Sequence, residues 1–450
     1  MSDTPASRLL ARLEAVPFSR WHLRARVIVG SATFFDAFDA LSLAFVLPVL
    51  VRAWGITPLE IGWLIAIGYL GQFVGALLFG AMAERRGRVR AIAAATGLMS
   101  VMSLACAMSW GFSSLLALRL VQGVGVGGEM PVAAAYINEL SRARGRGRFF
   151  LLYELIFPIG LMMTGQIGAL LVPALGWQVM FILGGVPGLV VAVLLTRLPE
   201  SPRWLIGQGR FADADAVIRD METQSGIESR LPEPRIANPE SPIASPESRL
   251  TELLSSAYRR RTLTVWVLWA CAYFITNGLN NWMPTLYSTV YHLSLAQALR
   301  AGTLTNVAQV AILLVCAFAI DGIGRRRWTV AGFTAGAALL VTLGTFAAHS
   351  VTAVIVLVTV SYGIVGSVNA VLYLYTPEIY PTRMRALGTG AATCWLRLAS
   401  AVGPVLVGYL VGARGTAAVF LMFAAAGVVG AVAAIAMLET RNRPLEELSP

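Results

Sequence analysis

Residues Phe34 to Pro48 read FFDAFDALSLAFVLP, which sets Asp36 and Asp39 inside an apolar run extending from Val27 to Leu50. That run exceeds the ~20 residues with which a helix crosses the hydrocarbon core, so both carboxylates fall at membrane depth. Three positions apart, they share one helical face. An ionised side chain at the bilayer centre costs ~2.5–3.5 kcal/mol on insertion scales, so this face should look into a bundle interior or watery cavity and toward a cationic partner. A soluble core helix with two exposed acids is excluded by the apolar residues around the pair.

The rest of the chain repeats this character. Of 450 residues, 57% are hydrophobic and 13% charged, which is too apolar for a soluble protein. The net charge of +11 suggests nucleic acid only until its placement is read. Every basic residue is arginine, and they gather in Arg8–Arg26, Arg85–Arg90, Arg142–Arg148, Arg197–Arg261, Arg325–Arg327, Arg383 with Arg385, and Arg441 with Arg443. The alternate connections carry only Arg52, Arg300 and Arg414. This positive-inside alternation predicts that both termini and the Arg-rich loops are cytoplasmic. Cys106, Cys271, Cys316 and Cys394 lie in apolar segments without metal spacing and are expected as free thiols. The first apolar run is too long for a signal peptide and should remain as a span.

Twelve spans are expected, roughly at 27–50, 61–83, 91–110, 114–138, 149–172, 177–197, 263–288, 298–320, 328–347, 351–377, 387–412 and 416–438. The predicted class is an all-α membrane protein. Its parts are a cytoplasmic segment (1–26), an N-terminal six-helix bundle (27–197), a cytoplasmic loop (198–261), a C-terminal six-helix bundle (262–438) and a cytoplasmic tail (439–450). In the loop, Ser201-Pro202 starts a short helix, a second covers Phe211 to Met221, a Pro/Ser-rich linker follows, and residues 249–258 are helical again.

The division into halves rests on a repeat. Gly80-Ala-Met-Ala-Glu84-Arg-Arg-Gly87-Arg88 follows span two, and Asp321-Gly-Ile-Gly324-Arg325 follows span eight. Glu139 and Arg146 after span four recur as Glu378 and Arg385 after span ten, displaced by nearly the same length. Two motifs in register imply duplicated six-helix units.

On these residues the chain resembles the major facilitator superfamily. Arg119-Leu-Val-Gln-Gly-Val-Gly, Pro199-Glu-Ser-Pro-Arg-Trp, Tyr375-Thr-Pro-Glu-Ile-Tyr-Pro-Thr-Arg and Glu439-Thr-Arg are similar to its sugar-porter and organic-ion branch. Asp36-Ala-Phe-Asp39 resembles the paired-Asp motif of aromatic-acid:proton symporters, with Ala37 where those have Gly. Gly127-Gly-Glu129-Met-Pro131 looks most like niacin-type transporters. The resemblance implies two pseudo-symmetric bundles that rock about a site near the midplane.

Candidate site residues follow. Arg119, placed in span four, requires a partner, and Asp39 is the expected one. The pair resembles the Asp and Arg to which proton coupling is attributed in sugar:proton symporters; the alternative is a static ion pair. Asp36 and Glu129 join this coupling set, with Glu129 alternatively bonded to a neighbouring helix. Arg397, mid-span in span eleven, offers a planar fork for a carboxylate and resembles the span-eleven arginine of organic-anion carriers. Its alternative is a buried pair with Glu154 or Asp36. Asn277, Asn280, Asn281 and Trp282, with Gly278 and Pro284, should break span seven and expose backbone to substrate. Trp395, Tyr69, Gln166, Gln309, Tyr362 and Asn369 are further polar or aromatic candidates. Glu84, Arg88, Glu139, Arg146, Asp321, Arg325, Glu378 and Arg385 form a cytoplasmic gate. The glycine series Gly123, Gly125, Gly127 and Gly128 signals close helix packing rather than a dinucleotide loop, because no strand precedes it.

The expected function is proton-coupled import of a small organic monocarboxylate, nicotinate or a related aromatic acid, across a bacterial inner membrane. A monomer is expected, with no cofactor, no metal, no nucleic-acid partner and no enzymatic activity. A sugar or neutral-metabolite symporter is the alternative within the class, and a non-transporting membrane sensor the alternative outside it.

Overall fold

The computed structural model describes residues 4–56, 58–226, 251–289, 291–293, 295–347 and 350–448. Among these, every regular element is a helix. The N-terminal half contains α1 (Pro5–Ala15), α2 (Arg20–Trp54), α3 (Pro58–Arg86), α4 (Arg88–Ala107), α5 (Phe112–Leu140), α6 (Arg146–Glu154), α7 (Ile156–Leu175) and α8 (Gln178–Leu195). Helices α9 (Pro202–Gly207) and α10 (Phe211–Gln224) follow in the loop. The second half contains α11 (Arg259–Thr289), α12 (Leu295–Ile323), α13 (Arg325–Thr342) with a π turn (Leu343–Ala347), α14 (Val351–Glu378), α15 (Arg385–Ile435) and the short α16 (Leu445–Leu448).

Twelve spans result once two details are resolved. Helices α6 and α7 together make span five, continuing through Leu155 at helical φ/ψ. Helix α15 contains spans eleven and twelve, and Gly415 at φ 76° turns the chain between them. Nine helical segments among the described residues are long and apolar enough to span a membrane by composition alone. The other three, α2, α5 and the first limb of α15, carry Asp36, Asp39, Arg119, Glu129 and Arg397.

Two expectations are corrected. Span seven does not break, because α11 is helical from Arg259 to Thr289 through the Asn- and Pro-containing stretch. Pro284 removes one backbone donor, but without competing water the remaining ladder holds. In span five Pro158 likewise withholds one donor, from the carbonyl of Glu154, while Leu155 keeps helical φ/ψ of −56° and −23°. The linker at 227–250 lies outside the described residues; residues 251–253 form one helical turn, and turns continue to 258.

The N-terminal segment holds a helix that the basic composition had hidden. Thr4 and Ser7 cap α1 reciprocally, and Leu9 and Leu13 are buried along one face. Arg12 donates to Asp215 at 2.5 Å and to Glu222 at 2.7–2.9 Å, which fastens α1 to α10. Those hydrogen bonds to Glu222 raise the Arg12 pKa.

Helices approach closely where the glycines fall. A side chain at Gly125 would strike backbone of Ala95 and Met99, and one at Gly127 backbone of Gln72. The series therefore lets α5 sit against α3 and α4, as its spacing predicts.

Candidate functional site

The Arg-rich end closes through matched contacts between the halves. Glu84, at the end of α3, accepts the N–H groups of Ala386 (2.7 Å) and Leu387 (3.4 Å) that open α15. In the other half, Asp321 accepts those of Gly147 (3.0 Å) and Arg148 (2.9 Å) that open α6. Each acid caps the unsatisfied donors of a helix start across the divide. Arg88 joins Glu84 (2.8 Å) to Glu139 (3.0 Å), and Arg325 joins Asp321 (3.0 Å) to Glu378 (3.1 Å). Arg385 reaches Glu139 at 3.0 Å and Arg146 reaches Glu378 at 3.4 Å, both between halves. The eight residues expected in the gate thus form a network of two matched clusters, one of Glu84, Arg88, Glu139 and Arg385 and one of Asp321, Arg325, Glu378 and Arg146, each crossing the divide and buried except for half-buried Asp321.

Backbone geometry supports that network twice over. Gly87 and Gly324 have φ of 103° and 99°, and a Cβ at either would meet the carboxylate of Glu200 or Glu439. Those carboxylates accept the N–H of Arg88 (2.9 Å) and of Arg325 (3.0 Å). Burial raises the Glu200 pKa. Sequence reading did not single out Arg203, which donates to the carbonyls of Glu139 (2.6 Å) and Ser141 (3.1 Å) and pairs with Glu14 of α1.

Deeper in the first half, Asp39 faces Arg119 as the charge argument requires. Arg119 Nη1 lies 3.4 Å from Asp39 Oδ2. The pair is long because Gln122 intervenes: its amide donates to Asp39 Oδ1 at 2.5 Å and its oxygen accepts from Arg119 Nη1 at 2.8 Å. Ser103 donates to the same Asp39 oxygen at 3.2 Å. Gln122 stands three residues from Arg119 and so on the same face of α5, a spacing the sequence carries. Arg119 Nε keeps no partner.

Asp36 does not share this network. It makes no hydrogen bond or ion pair among the described residues, and its Oδ1 is buried without a partner. It lies within electrostatic reach of Asp39 and Arg397. Glu129 accepts from Thr33 at 3.0 Å, while Thr33 also meets the Tyr153 hydroxyl at 2.5 Å; Glu129 Oε2 is left over. Glu129 therefore has the neighbouring-helix bond weighed for it. Glu154, four residues before Pro158 in span five, has a buried Oε2 without a partner.

Arg397 is 4% exposed and has no carboxylate within ion-pairing distance among the described residues. Its Nη1 donates to the carbonyl of Thr393 (2.8 Å) and its Nη2 to that of Gly127 (3.2 Å) across the halves, while Nε is unpartnered. Pro131 explains the second bond: lacking an N–H, it leaves the carbonyl four residues earlier, Gly127, without its helical donor. The alternative weighed for Arg397, a buried pair with Glu154 or Asp36, does not form among the described residues. Part of the fork is spent on backbone, and the rest is free to hold an anion.

Aromatic residues that sequence reading missed border this place. Tyr273 and Tyr373 both pack on Trp269, and Tyr373 lies within electrostatic reach of Arg397, Glu154 and Asp36. Trp269 stacks on Tyr273 (centroids 5.5 Å, 10°) and meets Tyr373 edge-on (4.5 Å, 88°). Tyr69 lies within electrostatic reach of both Arg119 and Arg397.

The other expected contacts divide. Trp395 packs against Trp266 with centroids 5.4 Å apart. Asn277 donates to Ser400, and Asn369 to Thr276 at 2.9 Å, its oxygen left unpartnered. Gln309 has an unpartnered buried oxygen, Asn280 and Trp282 are half-buried, and the Asn281 side chain lies outside those described. Tyr362 is buried in the apolar core, and Gln166 lies on the exposed stripe of α7 with Met163 and Leu170, so neither joins the buried network. Among the described residues no three His, Cys, Asp or Glu side chains are grouped to hold a metal ion.

Comparison with known proteins agrees with this architecture. Residues 36–450 match the family described as Sugar (and other) transporter. Over 449 residues the chain is 31% identical to the niacin transporter NiaP of Acinetobacter baylyi, covering 98% of this chain and 99% of that one. It is 30% identical over 316 residues to the 4-hydroxybenzoate transporter PcaK of Pseudomonas aeruginosa, covering 69% of each. The fold superposes on the proton:xylose symporter XylE bound to 6-bromo-6-deoxy-D-glucose with a TM-score of 0.78, at 18% identity and 95% and 98% coverage. The chain belongs to the Sugar (and other) transporter family of the major facilitator superfamily, and is a multi-pass membrane transporter of small organic substrates, not an enzyme.

Proposed function

We propose that this transporter imports a small aromatic monocarboxylate, nicotinate or a close analogue, by proton symport across a bacterial inner membrane, with both termini in the cytoplasm. The observation that carries the reading is Arg397, a buried guanidinium without a carboxylate partner. A substrate carboxylate supplies the ion-pair partner that Arg397 lacks, whereas a neutral sugar offers only uncharged hydrogen-bonding groups. The aromatic groups around Tyr373 offer flat faces to a ring. Identity with a niacin and a 4-hydroxybenzoate transporter supports the same substrate class.

Proton coupling belongs in this reading to Asp39 and Arg119. A carboxyl beside one arginine and buried from water can exchange that ion pair for a proton as the halves rock. Glu129, held by Thr33, is a second protonation site in the same half. The closed Arg-rich end then faces the cytoplasm, and residues 27–197 and 262–438 are the two moving bodies.

Thermal-shift binding of nicotinate, benzoate and glucose to the purified protein tests the substrate class. Nicotinate raises the melting temperature of the native protein and not of Arg397→Ala. Stabilisation by glucose alone, or equal stabilisation of Arg397→Ala by nicotinate, overturns it.

A further inference from the structure

Arg397 accounts for the carboxylate of such a substrate and leaves the opposite side of the site unexplained. There, oxygen acceptors accumulate without donors. Asp36 has no hydrogen bond or ion pair among the described residues and is 4% exposed. Glu154 is 5% exposed, and its Oε2 also lacks a partner. The backbone adds a third acceptor, since Pro158 cannot donate to the Glu154 carbonyl. Helix α2 packs along span five, with Gly30 against Tyr153 and Ile156 and Ala37 against Gly160, which sets Asp36 and Glu154 on neighbouring turns of adjacent helices. Thr33 on the same stretch of α2 bonds Glu129, two residues from the Gly127 carbonyl that Arg397 holds.

Resting on the reading of Arg397 as the carboxylate anchor, we infer that Asp36 and Glu154 form a donor-reading subsite that selects aromatic acids bearing an N–H or O–H on the ring. Two ligand chemistries supply such a donor: a protonated ring nitrogen, as in a pyridine carboxylate, and a phenol hydroxyl. An acid without a ring donor satisfies Arg397 and leaves the carboxyl oxygens bare. A cation without a carboxylate does the reverse. Only a ligand with both ends completes the hydrogen bonding, and a site built to bond a substrate donor strongly rejects the analogue that lacks it. Trp269, stacked on Tyr273 and edge-on to Tyr373, stiffens the aromatic wall between the two ends.

The test is competition binding of nicotinate, 4-hydroxybenzoate and benzoate to the detergent-solubilised full chain, native and with Asp36→Asn or Glu154→Gln. Monodisperse elution of each variant establishes that it is folded. In the native protein at least one donor-bearing acid binds tenfold or more tightly than benzoate, and which one does so identifies the ring nitrogen or the phenol. In at least one variant that ratio falls toward one. Three acids binding alike to the native protein, with Arg397→Ala weakening all of them, overturns the subsite and spares the anchor. A selectivity ratio unchanged in both variants also overturns the subsite. No binding of any acid overturns both.

Discussion

Removal of Glu84 should open the closed end, and by a calculable amount. Glu84 Oε1 accepts two N–H groups at the start of α15, one of them at 2.7 Å, and it is 2% exposed. An anion at a partly buried helix N-terminus contributes up to ~2 kcal/mol, which is about a 30-fold change in an equilibrium constant. Because the acceptor and the helix lie in different halves, that energy stabilises the closed arrangement and is absent when the halves part. Glu84→Ala should therefore raise the open fraction about 30-fold. Asp321→Ala, which removes the matching cap on α6, should act similarly. The two caps lie on opposite halves, so the double variant should approach the product of the two factors. Cys394 is buried at the interface, its thiol 3.8 Å from the Phe73 carbonyl across the halves, and reports opening. With Cys106, Cys271 and Cys316 replaced by Ser, the maleimide labelling rate of Cys394 should rise in each variant and most in the pair. An unchanged rate in Glu84→Ala, in protein that still elutes as a single species, would refute the latch.

Three further outcomes follow from the geometry. His22 packs among Phe18, Trp21 and Phe149, and burial lowers its pKa from 6.5 to about 4. The folded state thus holds the neutral ring. Its contribution is full above pH 6.5 and is lost as pH falls from 6.5 to about 4, by ~3 kcal/mol in all. His22→Phe should remove that part of the decline in melting temperature, and an unchanged difference between pH 7 and pH 4.5 contradicts it. Arg12→Ala takes the guanidinium from Glu222 and leaves Asp215 with only the exposed Arg219; a broken buried pair costs ~3 kcal/mol, about a hundredfold in local opening. Limited proteolysis within α10 should accelerate accordingly, and cleavage at the native rate rejects the tie between α1 and α10. Gln122→Leu removes the amide that bridges Asp39 and Arg119 and should impair gradient-driven uptake more than equilibrium binding; equal loss of both would place Gln122 in binding instead.

Much of the fold was readable because its causes are local and periodic. Arginine clusters on alternate connections set the number of crossings, and the matched Glu84/Asp321 and Glu139/Glu378 motifs set the halves. The glycine series prescribed close approach of α3 and α5. The Asp39 and Arg119 pairing was likewise forced, since each charge at membrane depth needs the other. What escaped depended on how helices are phased against each other. Pro131 and Pro158 look alike in sequence, yet one frees a carbonyl that Arg397 occupies and the other frees one beside Glu154. Tyr273 and Tyr373 read as ordinary aromatic residues of a span until the packing brought them to Arg397. Span seven was expected to break because it collects Asn, Gly and Pro, and intact α11 shows that composition alone does not determine where backbone opens. The Thr4/Ser7 capping signal of α1 was present and was masked by the surrounding arginines.

The central claim is that proton movement and substrate movement meet at Asp39. Labelled nicotinate accumulation in proteoliposomes under an inward-directed proton gradient addresses it most directly, comparing the native chain with Asp39→Asn. The account predicts that the variant loses accumulation above equilibrium while still exchanging internal for external nicotinate. Accumulation by Asp39→Asn at the native level would contradict it.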